Sequence, residues 1–189
     1  MLCLIVGLVI FLGAHVLPAS RFRAPLVARM GATPYRIVYS VVSVVGLVLI
    51  VLGYGQARAE GATEFYVPPF WLRHVTMLLM AVASVLIVAT YLPGRIRLFV
   101  RHPMVTAVMI WAFAHLLANG DMASVTLFAA FLLWSVADRI SLKRREAAGQ
   151  VVVSGGPWRN DALAIVIGLL VYAVIVFKLH LLLIGVPVV

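Results

Sequence analysis

The sequence is poor in the residues on which soluble enzymes and metal proteins most often depend. It contains one cysteine, Cys3, which excludes an internal disulfide and a metal cluster held by several cysteines. Only six residues are acidic, too few for a carboxylate-rich two-metal site. The GxGxxG, GxSxG and HExxH motifs and the P-loop are absent. The sequence therefore supports none of these soluble enzyme classes.

Charge is scarce and apolar residues are abundant. Charged residues make up 11% of the chain, against about 25% in a soluble domain, and hydrophobic residues make up 65%. This composition predicts an all-α membrane protein whose main partner is the lipid bilayer. The net charge of +9 would suggest nucleic-acid binding in a soluble protein. Here the arginines lie between apolar segments, where they orient the spans, so we expect no nucleic-acid partner.

Six segments have the length and composition of transmembrane helices, which need about 20 apolar residues. The fourth and fifth are short and joined by the tight stretch ANGD, which predicts a helical hairpin. We expect about six helices in one bundle and a single domain over residues 1–189. The predicted spans are residues 1–19, 34–57, 70–92, 104–119, 122–138 and 161–184.

The connections between these spans alternate in charge. The first, third and fifth are rich in arginine or lysine, the second is balanced by acidic residues, and the fourth holds only Asp121. The positive-inside rule places the first, third and fifth connections in the cytoplasm and both termini outside. Within the fifth connection, residues 143–160 are predicted to form either a loop or an amphipathic piece lying on the membrane surface.

Four of the five histidines fall at two predicted depths. His15 and His102 lie near the cytoplasmic side, and His74 and His115 lie near the outer side. Two axial histidines on one haem must come from different helices at the same depth, so His74 with His115, or His15 with His102, meets this condition. His102 and His115 are 13 residues apart on one helix, or about 20 Å, and cannot share an iron.

These histidines have two competing interpretations. Ionisable groups at membrane depth favour a functional role, which makes His15, His74 and His115 candidate metal ligands. A histidine at the interface also serves as an anchor that hydrogen-bonds to backbone or water. The remaining histidine, His180, together with Lys178, is predicted to extend towards the outer surface as such an anchor.

Several polar and aromatic residues are predicted near the outer pair of histidines. Trp111, His115 and Asn119 are spaced i, i+4 and i+8, so they share one helix face. Arg58 ends the second span on the same side, where a guanidinium pairs well with a carboxylate such as a haem propionate. Asp121 is expected to cap the fifth span through its carboxylate.

The chain contains, in order, the stretches GLVIFLGAHVLPASRFR, GLVLIVLGYGQARAE, VPPFWLRHV, YLPGRIRLFVRHPM, WAFAHLLANGDMAS and LLWSVADRISLKRR. Together these six stretches resemble the NnrU family of bacterial inner-membrane proteins. The resemblance implies a place in the bacterial inner membrane, and there the outer side on which the charge pattern places both termini is the periplasm. It also implies an association with denitrification, the respiration of nitrite and nitric oxide, and reductase components as partners.

The same family includes the plant 15-cis-zeta-carotene isomerase, a membrane enzyme that uses haem b. This resemblance implies haem b as a cofactor and His15, by its position in the first helix, as an iron ligand. It also implies electron transfer, nitric oxide handling or isomerase-like chemistry on a lipophilic small molecule. The stretch LFAAFLLWSVADR, which corresponds to the second ligand's helix, contains no histidine. A second ligand for that haem would have to come from elsewhere in the chain.

A further stretch, Arg101-His102-Pro103, is similar to a motif of the isoprenylcysteine carboxyl methyltransferases. In that group the motif helps to hold S-adenosylmethionine. The resemblance implies an alternative, methyltransferase-like function in which Arg101 and His102 bind the cofactor. A third alternative is a non-catalytic assembly or regulatory factor for a respiratory reductase.

Overall fold

The computed structural model of the protein describes residues 1–188, and within them the chain forms helices and no strand. This confirms the predicted all-α class. The helices are α1 (Leu2–Val16), α2 (Arg23–Met30), α3 (Ala32–Ala59), α4 (Leu72–Tyr91), α5 (Arg95–Val100), α6 (Pro103–Ala118), α7 (Met122–Ala147), α8 (Trp158–Val174) and α9 (His180–Ile184).

Five helical stretches within the described residues are long and apolar enough to cross a bilayer. They are Leu2–Ala19, Ala32–Ala59, Leu72–Tyr91, Met122–Ala147 and Trp158–Ile184. The apolar helix α6 has 16 residues, so it is about 24 Å long beside a hydrocarbon core of about 30 Å. A membrane protein is therefore supported, while the sixth crossing and the hairpin stay predictions.

The connections contain more helix than the sequence suggested. The short helices α2 and α5 lie in the first and third connections. Helix α7 continues well past the predicted end at residue 138 and stops at Ala147, because the residues that follow are mostly good helix formers. Of residues 143–160, the first five extend α7, residues 148–157 are irregular, and Trp158 begins α8. A separate surface helix does not form there.

The chain divides into two compact units. The first comprises Met1–Pro68 and Asn119–Trp134. In it, α1 packs against α3 at glycines: a Cβ added to Gly46 would lie 2.8 Å from the backbone nitrogen of Phe11, and one added to Gly7 would lie 2.6 Å from that of Ile50. Small residues permit this close approach of two backbones.

The second unit comprises Pro69–Ala118 and the chain from Ser135 onwards, so α7 contributes residues to both units. Here α4 packs against α6 and α8, and the buried core includes Ala83, Leu86 and Ala107. A Cβ on Gly168 of α8 would lie 2.6 Å from the Cα of Val85. Between α8 and α9, residues Ile175–Leu179 form a π-helical turn that keeps the helix continuous.

Candidate functional site

His15 lies among aromatic rings at the end of α1 in the first unit. Its ring centroid is 4.2 Å from that of Phe11, 5.6 Å from Tyr39 and 5.9 Å from Trp134. Its Nδ1 lies 2.7 Å from the carbonyl oxygen of Phe11. Because a carbonyl only accepts, Nδ1 must carry the proton, and Nε2 of the neutral ring then holds the lone pair. This is the tautomer in which a histidine ligates a metal through Nε2.

His115 shows the same arrangement in the last turn of α6 in the second unit. Its Nδ1 donates to the carbonyl oxygen of Trp111 at 2.8 Å, and the two rings are 5.4 Å apart. The hydroxyl of Thr76 donates to the carbonyl oxygen of Ala114 at 2.9 Å. The beginning of α4, where His74 lies, is therefore beside the end of α6. His74 itself is exposed, and its ring contacts Phe70 at 5.8 Å.

His180 is the histidine to which the sequence analysis gave an anchoring role and no place in the candidate site. It is half-buried at the start of α9, and its Nδ1 donates to the carbonyl oxygen of Val186 at 2.7 Å. A charge on His180 would act on His115, which places the two histidines in the same region of the second unit. The sequence offered one signal, because the predicted topology ends the sixth span at the same outer level as His115.

The remaining predicted cofactor residues are distributed between the units. Trp111 lies beside His115 in the second unit, whereas Arg58 and Asn119 belong to the first unit. The exposed guanidinium of Arg58 lies 5.8 Å from the ring centroid of Tyr54. The carbonyl oxygen of Asn119 accepts a hydrogen bond from the Tyr66 hydroxyl at 2.9 Å. Of the predicted set, the structure thus brings Trp111, His115 and the start of α4 together.

Asp121 has the structural role predicted for it. Its Oδ1 accepts a hydrogen bond from the backbone N–H of Ser124 at 2.9 Å, and its Oδ2 accepts one from the Ser124 hydroxyl at 2.6 Å. The prediction of a capping carboxylate at the start of α7 is confirmed. Burial, and secondarily the charge of Asp121, raises the pKa of the nearby Tyr66 hydroxyl above its usual value.

Arg101 and His102 form a second polar site, at the start of α6 in the second unit. Arg101 forms an ion pair with Glu146, and Nε2 of His102 lies 3.3 Å from Oε2 of the same carboxylate. Burial and the neighbouring Arg139 guanidinium lower the pKa of His102, and Glu146 opposes them in part. The two residues of the predicted anion site are therefore together and already face an acidic side chain.

Within residues 1–188, no group of three or more histidine, cysteine, aspartate or glutamate side chains is arranged to hold a metal ion. Haem makes a different demand, because its porphyrin supplies four ligands and the protein supplies one or two axial ones. The imidazoles of His15 and His115 each donate Nδ1–H to a backbone carbonyl, which leaves Nε2 as the ring's electron-pair donor.

Comparison with known families decides the identity of the chain. The model of the NnrU protein family matches residues 3–188, nearly the whole length. The chain belongs to the NnrU family. The resemblance found in the six sequence stretches is thereby confirmed. No curated protein and no solved structure matches the chain. Family membership and the apolar helices together make this an NnrU-family membrane protein.

Proposed function

We propose that this NnrU-family protein binds haem b in the bacterial inner membrane and supports denitrification, with both termini in the periplasm. His115 is the proposed axial ligand. One observation carries the proposal: the Trp111 carbonyl fixes the proton of His115 on Nδ1, 2.8 Å away, on a half-buried helix face. Such a partner orients a ligating ring and increases its basicity, and so strengthens a bond from Nε2 to iron.

His180 is the proposed second ligand, with His74 as the other candidate. His180 is half-buried, interacts electrostatically with His115, and has its own Nδ1 proton directed at the Val186 carbonyl. His74 begins α4 beside His115 but is exposed to the surroundings. In this proposal the two ligands come from different helices of the second unit, as two histidines on one haem must.

Other side chains at this end suit the rest of the cofactor. Trp111 offers an aromatic face next to the ligand ring. Arg73 is exposed, and its Nη2 donates to the carbonyl oxygen of Val188 at 3.0 Å, so a guanidinium is available at the same end for a propionate. When bound, haem b would supply one-electron transfer, nitric oxide binding or isomerisation of a lipophilic substrate. The association with denitrification, and with reductase components as partners, rests on the family resemblance.

An absorption spectrum tests this proposal. We expect protein purified in mild detergent, from cells supplied with ample haem, to show a Soret band that His115→Ala abolishes. His180→Ala should convert a six-coordinate spectrum to a five-coordinate one, and His102→Ala, distant along α6, should leave the spectrum unchanged. Absence of a Soret band and of hemin uptake would overturn the proposal. Loss of the band in His15→Ala, with retention in His115→Ala, would move the ligand to the first unit.

The two alternative functions stay predictions with distinct tests. A methyltransferase-like enzyme would bind S-adenosylmethionine at Arg101 and His102, where the cofactor's carboxylate would have to replace Glu146. Calorimetry with S-adenosylmethionine on Arg101→Ala tests that role. An assembly or regulatory factor would co-purify with a reductase subunit and contain no cofactor.

A further inference from the structure

A small cavity opens where α5 meets α6 in the second unit. Its volume is about 170 Å³, and it lies beside the first turn of α6 and the far part of α7. The backbone N–H groups of a helix's first turn have no partner inside the helix, and they carry its positive dipole end. The lining includes Thr90, Arg97, Arg101, His102, Met104 and Leu142.

The backbone at this cavity has an unusual conformation. Arg101 has φ of 68°, and it is the one non-glycine residue within 1–188 with a positive φ. Such a conformation costs about 1–3 kcal/mol and persists where the surroundings require it. It ends α5 and lets α6 begin at Pro103, so Arg101 and the first turn of α6 border the same cavity.

Polar atoms of one cavity-lining residue, His102, and of two arginines of α7 outside the lining lack a hydrogen bond of suitable geometry within residues 1–188. The side chain of His102 is only 9% exposed, and its Nε2, 3.3 Å from Glu146, makes no hydrogen bond of suitable geometry within residues 1–188. Nη1 of Arg139 and Nε of Arg145 are also buried and have no hydrogen-bond partner within residues 1–188. A buried donor left unsatisfied costs about 1–3 kcal/mol. His102 has the Glu146 carboxylate beside it, whereas the two buried guanidinium N–H groups have no acceptor in the described part of the chain and could take one from a bound anion.

The local charge identifies the kind of acceptor. The cluster contains four guanidinium groups, and the acidic side chains that face them are Glu146, paired with Arg101, and Asp138, whose Oδ1 lies 3.9 Å from Nη2 of Arg145. Positive charge is therefore in excess. The four arginines are Arg97, Arg101, Arg139 and Arg145.

We propose that this cavity binds a phosphate group and that Glu146 is a carboxylate which the phosphate displaces from Arg101. A phosphate presents several acceptor oxygens, enough to engage a guanidinium, an imidazole and the first N–H groups of α6 together. The same group can come from inorganic phosphate or from the headgroup of an anionic lipid. The site is independent of the proposed haem site at the other end of α6.

Inorganic phosphate is the first probe. The full chain in detergent is titrated with phosphate at constant ionic strength, with chloride as the reference salt, and thermal unfolding reports binding. Arg101→Gly is the informative variant, because glycine adopts a positive φ without strain while the guanidinium is lost. We expect it to weaken binding about tenfold, the equivalent of one charge-assisted hydrogen bond. Glu146→Gln should strengthen binding, because a competing carboxylate is removed.

Arg95→Ala is the matched control. Arg95 is exposed on the same helix, α5, and does not line the cavity, so its loss should leave phosphate affinity unchanged. An equal weakening of phosphate binding by Arg95→Ala and Arg101→Gly would mean that phosphate responds to the overall positive charge and not to this cavity. That result would overturn the proposal.

Bilayer nanodiscs identify the source of the phosphate. Native mass spectrometry would compare retention of phosphatidic acid with retention of phosphatidylcholine. Selective retention of phosphatidic acid that Arg101→Gly abolishes supports the site with a lipid as its ligand. Binding of inorganic phosphate without retention of phosphatidic acid supports the site with a soluble phosphate as its ligand. Binding of neither probe overturns the proposal.

Discussion

At the scale of single residues, three histidines share one local hydrogen-bonding arrangement. His15, His115 and His180 each direct Nδ1 to a backbone carbonyl, and in His15 and His115 that carbonyl lies four residues earlier in the same helix. The helical spacing of the residues was visible in the sequence. The hydrogen bonds were not, because they depend on the rotamer that each ring adopts against its neighbours.

His102 gives a residue-scale prediction for the dependence of stability on pH. Burial lowers its pKa from the ordinary 6.5, so the folded protein favours the neutral ring. Between the lowered pKa and 6.5, the unfolded chain therefore binds more protons than the folded protein does. The stability that the neutral ring contributes is fully present above pH 6.5 and is lost as the pH falls towards the lowered pKa. We expect the Tm in detergent to decrease below about pH 6.5 and His102→Gln to flatten the curve. The exposed His74→Gln should keep the slope. An unaltered slope in His102→Gln would contradict the assignment.

At the scale of helices, apolar runs in the sequence located the five long apolar helices well but missed the helices in the basic connections. Helices α2 and α5 and the extension of α7 consist of residues that are polar yet favour helix, so hydropathy alone treats them as loops. The close approach of α1 and α3 also escaped prediction. Glycine spacing shows that two backbones can meet but not which helix is the partner.

The contact between α1 and α3 predicts a sharp difference between two glycines of α3. A Cβ on Gly53 would overlap the backbone of Leu4, whereas a Cβ on Gly55 would meet nothing within 4 Å. We expect Gly53→Ala to lower the free energy of unfolding by about 1–3 kcal/mol through overpacking. Gly55→Ala should be neutral or stabilising, because alanine favours helix. Denaturant titration in detergent measures both, and equal effects would refute the packing assignment.

Helix α5 begins on a carboxylate supplied by α8. The oxygens of Asp161 accept hydrogen bonds from the backbone N–H groups of Arg95 and Ile96, each at 2.9 Å. We expect Asp161→Ala to cost about 1–3 kcal/mol of unfolding free energy, since two donors lose their acceptor. Asp161→Asn keeps one acceptor oxygen and should cost less. Thermal unfolding at neutral pH distinguishes them, and an unchanged Tm in Asp161→Ala would exclude the cap. Sequence proximity gives no hint of this pair.

At the scale of the whole molecule, the sequence correctly predicted an all-α membrane protein and the NnrU family. The length of an apolar segment can be read from the local sequence, and six motifs in a fixed order identify a family specifically. Features built by long-range pairing were not predictable. The ion pair between Arg101 and Glu146 joins residues 45 apart, and nothing in their local sequence selects one partner over another. The orientation in the membrane stays a prediction.

Cysteine labelling tests that orientation, because Cys3→Ser leaves a chain without cysteine. With six crossings we expect Pro187→Cys, near the C terminus, to react with a membrane-impermeant maleimide from the periplasm. Glu60→Cys, in the second connection, is the control for that side. Gln150→Cys, in the fifth connection, should react only after permeabilisation. All three positions are exposed. Reaction of Pro187→Cys only after permeabilisation would mean an odd number of crossings.

The wide turn at Ile175–Leu179 makes the C-terminal helix sensitive to chain length. A π turn accommodates one residue more than an α turn, which offsets everything beyond it by about 100° around the helix axis. Deleting any single residue from this stretch would restore regular α-helical winding and move His180 to another face of the helix. The imidazole itself would be unchanged, but it would point in a different direction. In this part of the protein, therefore, the count of residues positions an imidazole as much as their identity does.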